Sequence, residues 1–263
     1  MYPQRPFSRG IGSGRQTQVR APADPSPHAL RISAKDLGQL ALPRFCERCF
    51  WLTRRQRKLP FNIFPGIFSA IDSYSKAVLR QWVRRHGSLP KWLEPLGQVK
   101  EVIEIRRSDF AAELEGVFLT GEPDAVLRMV DGSWTILDMK TARFTPAQDE
   151  LLPLCRVQLN AYWVLAEAAG MTPLGGLALL YCEPPTREFA EAHAAEFGGT
   201  CGFSMPFRAA LFPLEVDAGE VRRLAREAKR IYDLPSAPRG RPGCQDCASL
   251  AALHGLTGEG GSP

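Results

Sequence analysis

Asp124 and the triplet Asp138-Met139-Lys140 lie on either side of the turn dipeptide Asp131-Gly132, within two β-rich runs, GVFLTGEPDAVLRMV and SWTILDMKTA. Residues of these types suit phosphodiester hydrolysis. Carboxylate oxygens are hard donors that hold Mg²⁺ or Mn²⁺ against a scissile phosphate. A nearby ammonium orients or helps deprotonate water and offsets the negative charge that develops. Two carboxylates brought together also need a cation between them, because like charges a few ångströms apart raise one of the two pKa values. Asp138 is embedded in the apolar run Trp134 to Met139, where a charge requires compensation. The plainer alternative for a bare D…D-x-K is two surface carboxylates at strand ends beside a solvated lysine.

Whether these side chains meet depends on hairpin register, since a slip of one residue turns every side chain to the other face. A two-residue loop at Asp131-Gly132 pairs Val130 with Ser133 and sets Asp124 opposite Met139, on the wrong face. A three-residue loop, Asp131 to Ser133, pairs Val130 with Trp134; Asp124 then falls opposite Lys140 and shares the face of Asp138. A bulge at Pro123 has the same effect. The expectation is a cluster of two carboxylates and an ammonium at one end of a hairpin.

A second set of chemically capable residues is the pair of C-x-x-C motifs, Cys46-Glu47-Arg48-Cys49 and Cys244-Gln245-Asp246-Cys247. Four thiolates are enough for a tetrahedral Zn²⁺ or a [4Fe-4S] cluster, and such a site would join the N- and C-terminal segments. His254 is an alternative ligand or simply exposed. Cys155, Cys182 and Cys201 lack metal spacing and read as small apolar residues in or near the core.

The elements that must position these groups follow from periodicity. Residues 1–27 are rich in Pro, Gly, Ser, Gln and Arg and read as a disordered basic arm. A short helix capped by Ser33 breaks at Pro43, and a second helical start carries the first cysteine pair. In FSAIDSYSKAVLRQWVRRHG, the residues Phe68, Ile71, Tyr74, Val78, Leu79 and Trp82 recur at helical spacing, with Gly87 as the stop and His86 as a capping or surface residue. A β-meander is expected between Val99 and Thr141. RVQLNAYWVLAEAAG is helical, with Val157, Ala161, Val164, Leu165 and Ala168 on one side and Gly170 as C-cap. LGGLALLYCEP reads as a strand buried on both faces. Residues 185–203 are less regular, FRAALFPLEVD is an edge strand because of Pro213, and AGEVRRLAREAKRIYDL is a helix. Residues 28–250 then form one domain, followed by a flexible tail over residues 251–263.

The chain has 263 residues, 44% of them hydrophobic, which is enough to bury a sizeable core. No apolar run approaches the roughly 20 residues needed to cross a bilayer. The Arg-rich start has no apolar h-region, so a cytoplasmic location and reduced cysteines are expected, with no membrane partner. The formal net charge is +5. Arg44, Arg48, Arg54, Arg55, Arg57 and Lys58 crowd around Trp51, and Arg222, Arg223, Arg226, Lys229 and Arg230 line the last of these helices. Such patches suit phosphate contact and base stacking, or are ordinary solvated basic faces.

GEPDAVL, ILDMKTA and then QLNAY stand in an order and spacing that resembles the RecB-like branch of the PD-(D/E)XK nucleases, which includes the CRISPR-associated nuclease of the adaptation machinery. The resemblance covers roughly residues 45–247. It implies an α/β fold with a mixed β-sheet core flanked by helices, and a Mg²⁺- or Mn²⁺-dependent deoxyribonuclease serving DNA repair, recombination or phage defence. It also implies single-stranded DNA or duplex ends as substrate, and protein partners in a repair or defence complex. The alternative is a catalytically weak or inactive nucleic-acid-binding subunit of a larger complex. By resemblance Asp124 and Asp138 bind the metal, Lys140 is the catalytic lysine, the carbonyl of Met139 is a further ligand, and Gln158 and Tyr162 form the Q-x-x-x-Y signature beside the DNA. Many relatives place a metal-binding histidine in a G-x-x-x-H stretch of the early helix. Here Gly66 to Ala70 matches it, Ala70 takes the histidine's position, and Asp72 is either its substitute or an ordinary first-turn Asp favoured by the helix dipole. Iron-sulfur relatives usually place one cysteine upstream and three downstream, whereas this chain has two and two, which keeps zinc in contention.

Overall fold

In the computed structural model, the residues described are 30–56, 66–200 and 202–256, apart from the side chains of 146–149. The basic arm, Arg57, Lys58, Cys201 and the last residues of the tail lie outside them. β1 (Leu30–Ser33) leads into α1 (Ala34–Gly38), where the Ser33 side chain accepts the Asp36 amide at 3.1 Å as the capping reading requires. α2 (Glu47–Arg55) and α3 (Gly66–His86) follow. The chain then forms β2 (Val99–Ile103), β3 (Ala111–Leu114), β4 (Val117–Thr120), β5 (Ala125–Met129) and β6 (Trp134–Lys140). After α4 (Pro146–Ala168) comes β7 (Leu174–Glu183). The short α5 (Arg187–Ala192), α6 (Ala194–Phe197), β8 (Gly198–Gly199) and β9 (Gly202–Phe203) occupy the less regular stretch. β10 (Arg208–Leu214), α7 (Ala218–Tyr232) and α8 (Gln245–Leu256) complete it. α8 thus runs six residues into the segment read as tail.

The main sheet has the order β10-β7-β6-β5-β2. β6 and β7 are parallel and the other neighbours antiparallel. A parallel pair needs a crossover, and α4 supplies it. β7 lies inside the sheet, which explains its nearly all-apolar sequence. β10 is the edge that tolerates Pro213. Alternate residues of β6 feed two cores: Trp134 and Ile136 face α4, while Leu137 and Met139 face the side of α3.

Two expectations need correction. The region from Val99 to Thr141 is not a simple meander. β2 pairs with β5, and the intervening β3–β4 hairpin forms a separate sheet of order β1-β4-β3. Its two-residue turn, Glu115-Gly116, has positive φ at both positions (51° and 78°), and Phe110, Leu114, Val117 and Leu119 are buried in the core against α4, so their burial is satisfied there and not in the main sheet. The long helix α3 is where expected, but Phe68, Tyr74, Val78 and Trp82 are exposed and only Leu79 and Val83 are buried. More apolar residues than one face can hold leave the buried line undetermined by spacing, and contact with the sheet selects it. Ala168 is likewise exposed, whereas Val157, Ala161, Val164 and Leu165 are buried.

Candidate active site

The hairpin register decides the meeting of the carboxylates. Ala125 lies opposite Leu137 and Arg128 opposite Trp134, so Asp124 comes one residue before the paired stretch, next to the register position of Asp138. The loop is Val130-Asp131-Gly132, closed by the Met129 amide on the Ser133 carbonyl at 2.8 Å, with Gly132 at φ +88°. This is a three-residue loop that starts one residue earlier than expected. Asp124 thus precedes the ladder instead of standing opposite Lys140, and it meets β6 through its side chain, which accepts the Met139 amide. The Asp131 carboxylate causes the shift, since it accepts the amide and hydroxyl of Ser133 at 2.9 and 2.7 Å.

Asp138 is almost fully buried. Its Oδ2 lies 2.6 Å from the Lys140 ammonium yet accepts no well-aligned hydrogen bond among the described residues, and its Oδ1 accepts Gln158 Nε2 at 3.2 Å. Gln158 links the cluster, since its Oε1 accepts Lys140 Nζ at 3.1 Å and its Nε2 also reaches the Tyr162 hydroxyl at 2.7 Å. The Tyr162 hydroxyl in turn donates to the Glu122 carbonyl at 3.4 Å. Gln158 and Tyr162 are buried, so the groups they reach are Asp138, Lys140 and the backbone before Asp124. Burial, followed by the charge of Asp138, pushes the Tyr162 hydroxyl up and keeps it neutral.

Asp124 accepts the Met139 amide at 2.5 Å through Oδ2 and lies 2.8 Å from the Lys76 ammonium through Oδ1. N–H and C=O of one strand residue point to the same side, so the Met139 carbonyl also faces the Asp124 side. Burial, then the Asp138 charge, raises Asp124 to about 6 despite Lys76 and the Met139 amide, which lower it. Burial favours neutral forms of both lysines, but hydrogen bonds and charge from Asp124 and Asp72 raise Lys76, and chiefly the Asp138 charge raises Lys140.

Lys76 and Gly121 were not singled out by sequence. Lys76 bridges Asp124 and Asp72, which lies 2.9 Å away one helical turn earlier. Asp72 therefore joins the cluster through Lys76 and is itself more exposed. The i,i+4 spacing of Asp72 and Lys76 was visible, but it equally describes a solvated surface pair. Gly121 is the first residue of the GEPD stretch, and a Cβ there would lie 2.7 Å from the Tyr162 ring. Only a bare backbone admits that ring beside Glu122.

The donor set fits a hard divalent cation. Asp124 and Asp138 offer carboxylate oxygens near enough for the charge of one to act on the other, and one buried oxygen of Asp138 lacks an aligned donor. In a separate cluster, the sulfurs of Cys46, Cys49, Cys244 and Cys247 all lie within 4.8 Å of one another, a soft donor set able to hold a metal. His254 is exposed and outside that group. Cys155 is buried and Cys182 packs against the core, in line with their reading as apolar residues.

The two basic stretches are mostly committed to holding the fold. Arg54 pairs with Asp36 at 3.0 Å, and Arg55 stacks between Trp51 and Tyr232 and donates to the Tyr232 carbonyl at 2.7 Å. Trp51 donates to the Leu234 carbonyl at 3.0 Å. On α7, Arg223, Arg226, Lys229 and Arg230 are all in ion pairs. The stripe read as a strand track is thus largely neutralised by Glu220, Glu115, Asp233 and Glu227. Among the described residues no helix is long and apolar enough to cross a membrane.

Comparison with known proteins adds a name to this arrangement. No curated protein matches the chain. Among solved structures, the crystal structure of SSO0001 is similar over 86% of this chain and 87% of its own, with 13% identity and a TM-score of 0.42. The sequence profile of the PD-(D/E)XK nuclease superfamily matches residues 35–252, a span that holds the carboxylates, Lys140, Gln158, Tyr162 and all four clustered cysteines, and the chain belongs to that superfamily.

Proposed function

We propose that the chain is a metal-dependent deoxyribonuclease whose centre is built by Asp124, Asp138 and Lys140. The observation that supports this reading best is the buried Asp138 carboxylate, held between Lys140 at 2.6 Å and Gln158 at 3.2 Å, with Asp124 near enough to feel its charge. Asp124, Asp138 and the Met139 carbonyl would hold Mg²⁺ or Mn²⁺, with Asp72 as a further carboxylate within one lysine of the site. When bound, such an ion polarises the scissile phosphate and lowers the pKa of its water.

The residues of the chain supply the rest. Lys140, kept charged by Asp138, orients the attacking water and stabilises negative charge on the phosphate. Gln158 fixes Lys140 and Asp138 relative to one another from a single amide, and Tyr162 fixes Gln158. Both act as positioning residues, since their burial keeps them from a bound strand. The substrate is DNA, as single strands or duplex ends, in a repair or defence setting.

A cleavage assay on single-stranded and duplex DNA with Mn²⁺ tests the reading. Lys140→Ala is expected to lower the rate by about 10² or more. Equal rates for variant and wild type would overturn the assignment. An absence of Mn²⁺ binding by calorimetry would favour a binding subunit that retains the fold without the chemistry.

A further inference from the structure

We infer that the four cysteines form a mononuclear tetrathiolate Zn²⁺ site, not an iron-sulfur cluster, and that this site fastens the C-terminal segment to the domain. The inference goes beyond the nuclease reading and stands without it. Sulfur separations carry the first half. Cys46 lies 3.7 Å from Cys247, and Cys49 lies 3.6 Å from Cys244 and 3.5 Å from Cys247. Four thiolates at the zinc bond length of about 2.3 Å in a tetrahedron stand about 3.8 Å apart. A four-iron cube puts each thiolate on a different iron, with sulfide between the irons, and spreads the sulfurs beyond contact. The cube implied by iron-sulfur relatives therefore does not fit the spacing in this chain.

The immediate surroundings agree with a small closed site. Both pairs open a helix, Cys46 as the N-cap of α2 and Cys244 just before α8, so both helix N-termini favour thiolate charge. The amide of Arg241 donates to Cys46 Sγ at 3.3 Å, an outer bond that orients the ligand. The turn Arg241 to Cys244 is closed at 3.1 Å, with Pro242 second and Gly243 at φ +70° third, which aims Cys244 inward. At Gly240 a Cβ would lie 2.9 Å from Cys247 Sγ, so the backbone passes close against the sulfurs.

Burial carries the second half. After Ile231 the only buried residue among those described is Cys244. No residue of α8 is buried, and its Leu250, Leu253 and Leu256 are exposed. Hydrophobic packing therefore gives residues 235–256 little reason to return to α2. A metal bound across sequence separations of 195 to 201 residues does.

The test uses the full chain, expressed with both iron and zinc supplied and purified without oxygen. Metal and acid-labile sulfide analysis should give about one zinc per chain, no sulfide and no broad band near ~400 nm. Iron with sulfide, one iron per chain, or a folded protein with no metal would overturn the zinc assignment. Wild-type protein treated with a strong zinc chelator then tests the fastening without a variant that fails to fold. Proteolysis is expected to cut residues 235–256 at least tenfold faster while the main sheet stays protected. Unchanged cutting, or simultaneous digestion of the whole domain, would overturn it.

Discussion

The carboxylate centre and the cysteine centre both gather acidic groups, yet they balance charge in opposite ways. Around Asp124 and Asp138 the fold brings its own cations, with Lys76 on one carboxylate and Lys140 on the other at 2.8 and 2.6 Å. Among the described residues no side-chain cation does this for the thiols. Against burial, which raises it, only backbone amides and neighbouring thiols bring Cys46 down to about 6, while burial and the other thiols push Cys49 up. Thiolates this close together repel one another, and a bound metal would offset their charge. The first centre can be assembled before a metal arrives and can release it. The second is complete only with one, as a structural site should be.

The sharpest way to break this contrast is Asp138→Asn. It removes the carboxylate that holds Lys140 charged and offers the under-satisfied oxygen, so DNA cleavage should fall by about 10² to 10³. Metal analysis of the same preparation should show the zinc content unchanged, because the two centres share no ligand. A variant that lost both would show the centres to be one coupled unit.

Part of this arrangement was readable from residue types and spacing. Asp124, Asp138 and Lys140 stand out because charge inside an apolar β-run needs a reason, and a short loop brings the ends of the two runs together. The exact partner was not readable. The loop starts at Val130 because Asp131 folds onto Ser133, a local hydrogen-bond choice that costs two residues of register. The cysteine pairs were legible as a metal site, but the choice of metal needed the sulfur spacing. Lys76 was hidden for a different reason. Its role depends on how α3 packs against the sheet, where Leu79 and Val83 are buried, and these are two among many apolar residues on that helix. Tertiary contact, not periodicity, selected the face.

Lys76→Met addresses that hidden element. Lys76 and a divalent ion compete for Asp124 Oδ1, so removing the ammonium should strengthen Mn²⁺ binding about tenfold, or about 1.4 kcal/mol, in calorimetry above pH 7. A loss of affinity of similar size would mean that Lys76 serves to hold Asp72 and Asp124 in place for the metal. Zinc content again should not change.

The smallest effect concerns pH, and its sign differs between folding and metal binding. Asp124 is raised from 3.8 to about 6, first by burial and then by Asp138. Between those values the folded chain holds a proton that the unfolded chain has lost. Its contribution to stability is therefore present below about pH 4 and lost as pH rises to about 6. Metal binding runs the other way, because the ligand is the carboxylate, so Mn²⁺ affinity should climb through the same window and level off above it. Lys76 lowers Asp124, which means that Lys76→Met should move the midpoint of the Mn²⁺ titration upward while raising its plateau. Calorimetry from pH 5 to 8 on both proteins separates the two roles of one lysine. A midpoint that stayed in place with a higher plateau would leave competition as its whole effect, whereas a shifted midpoint with an unchanged plateau would leave only its hold on the Asp124 proton.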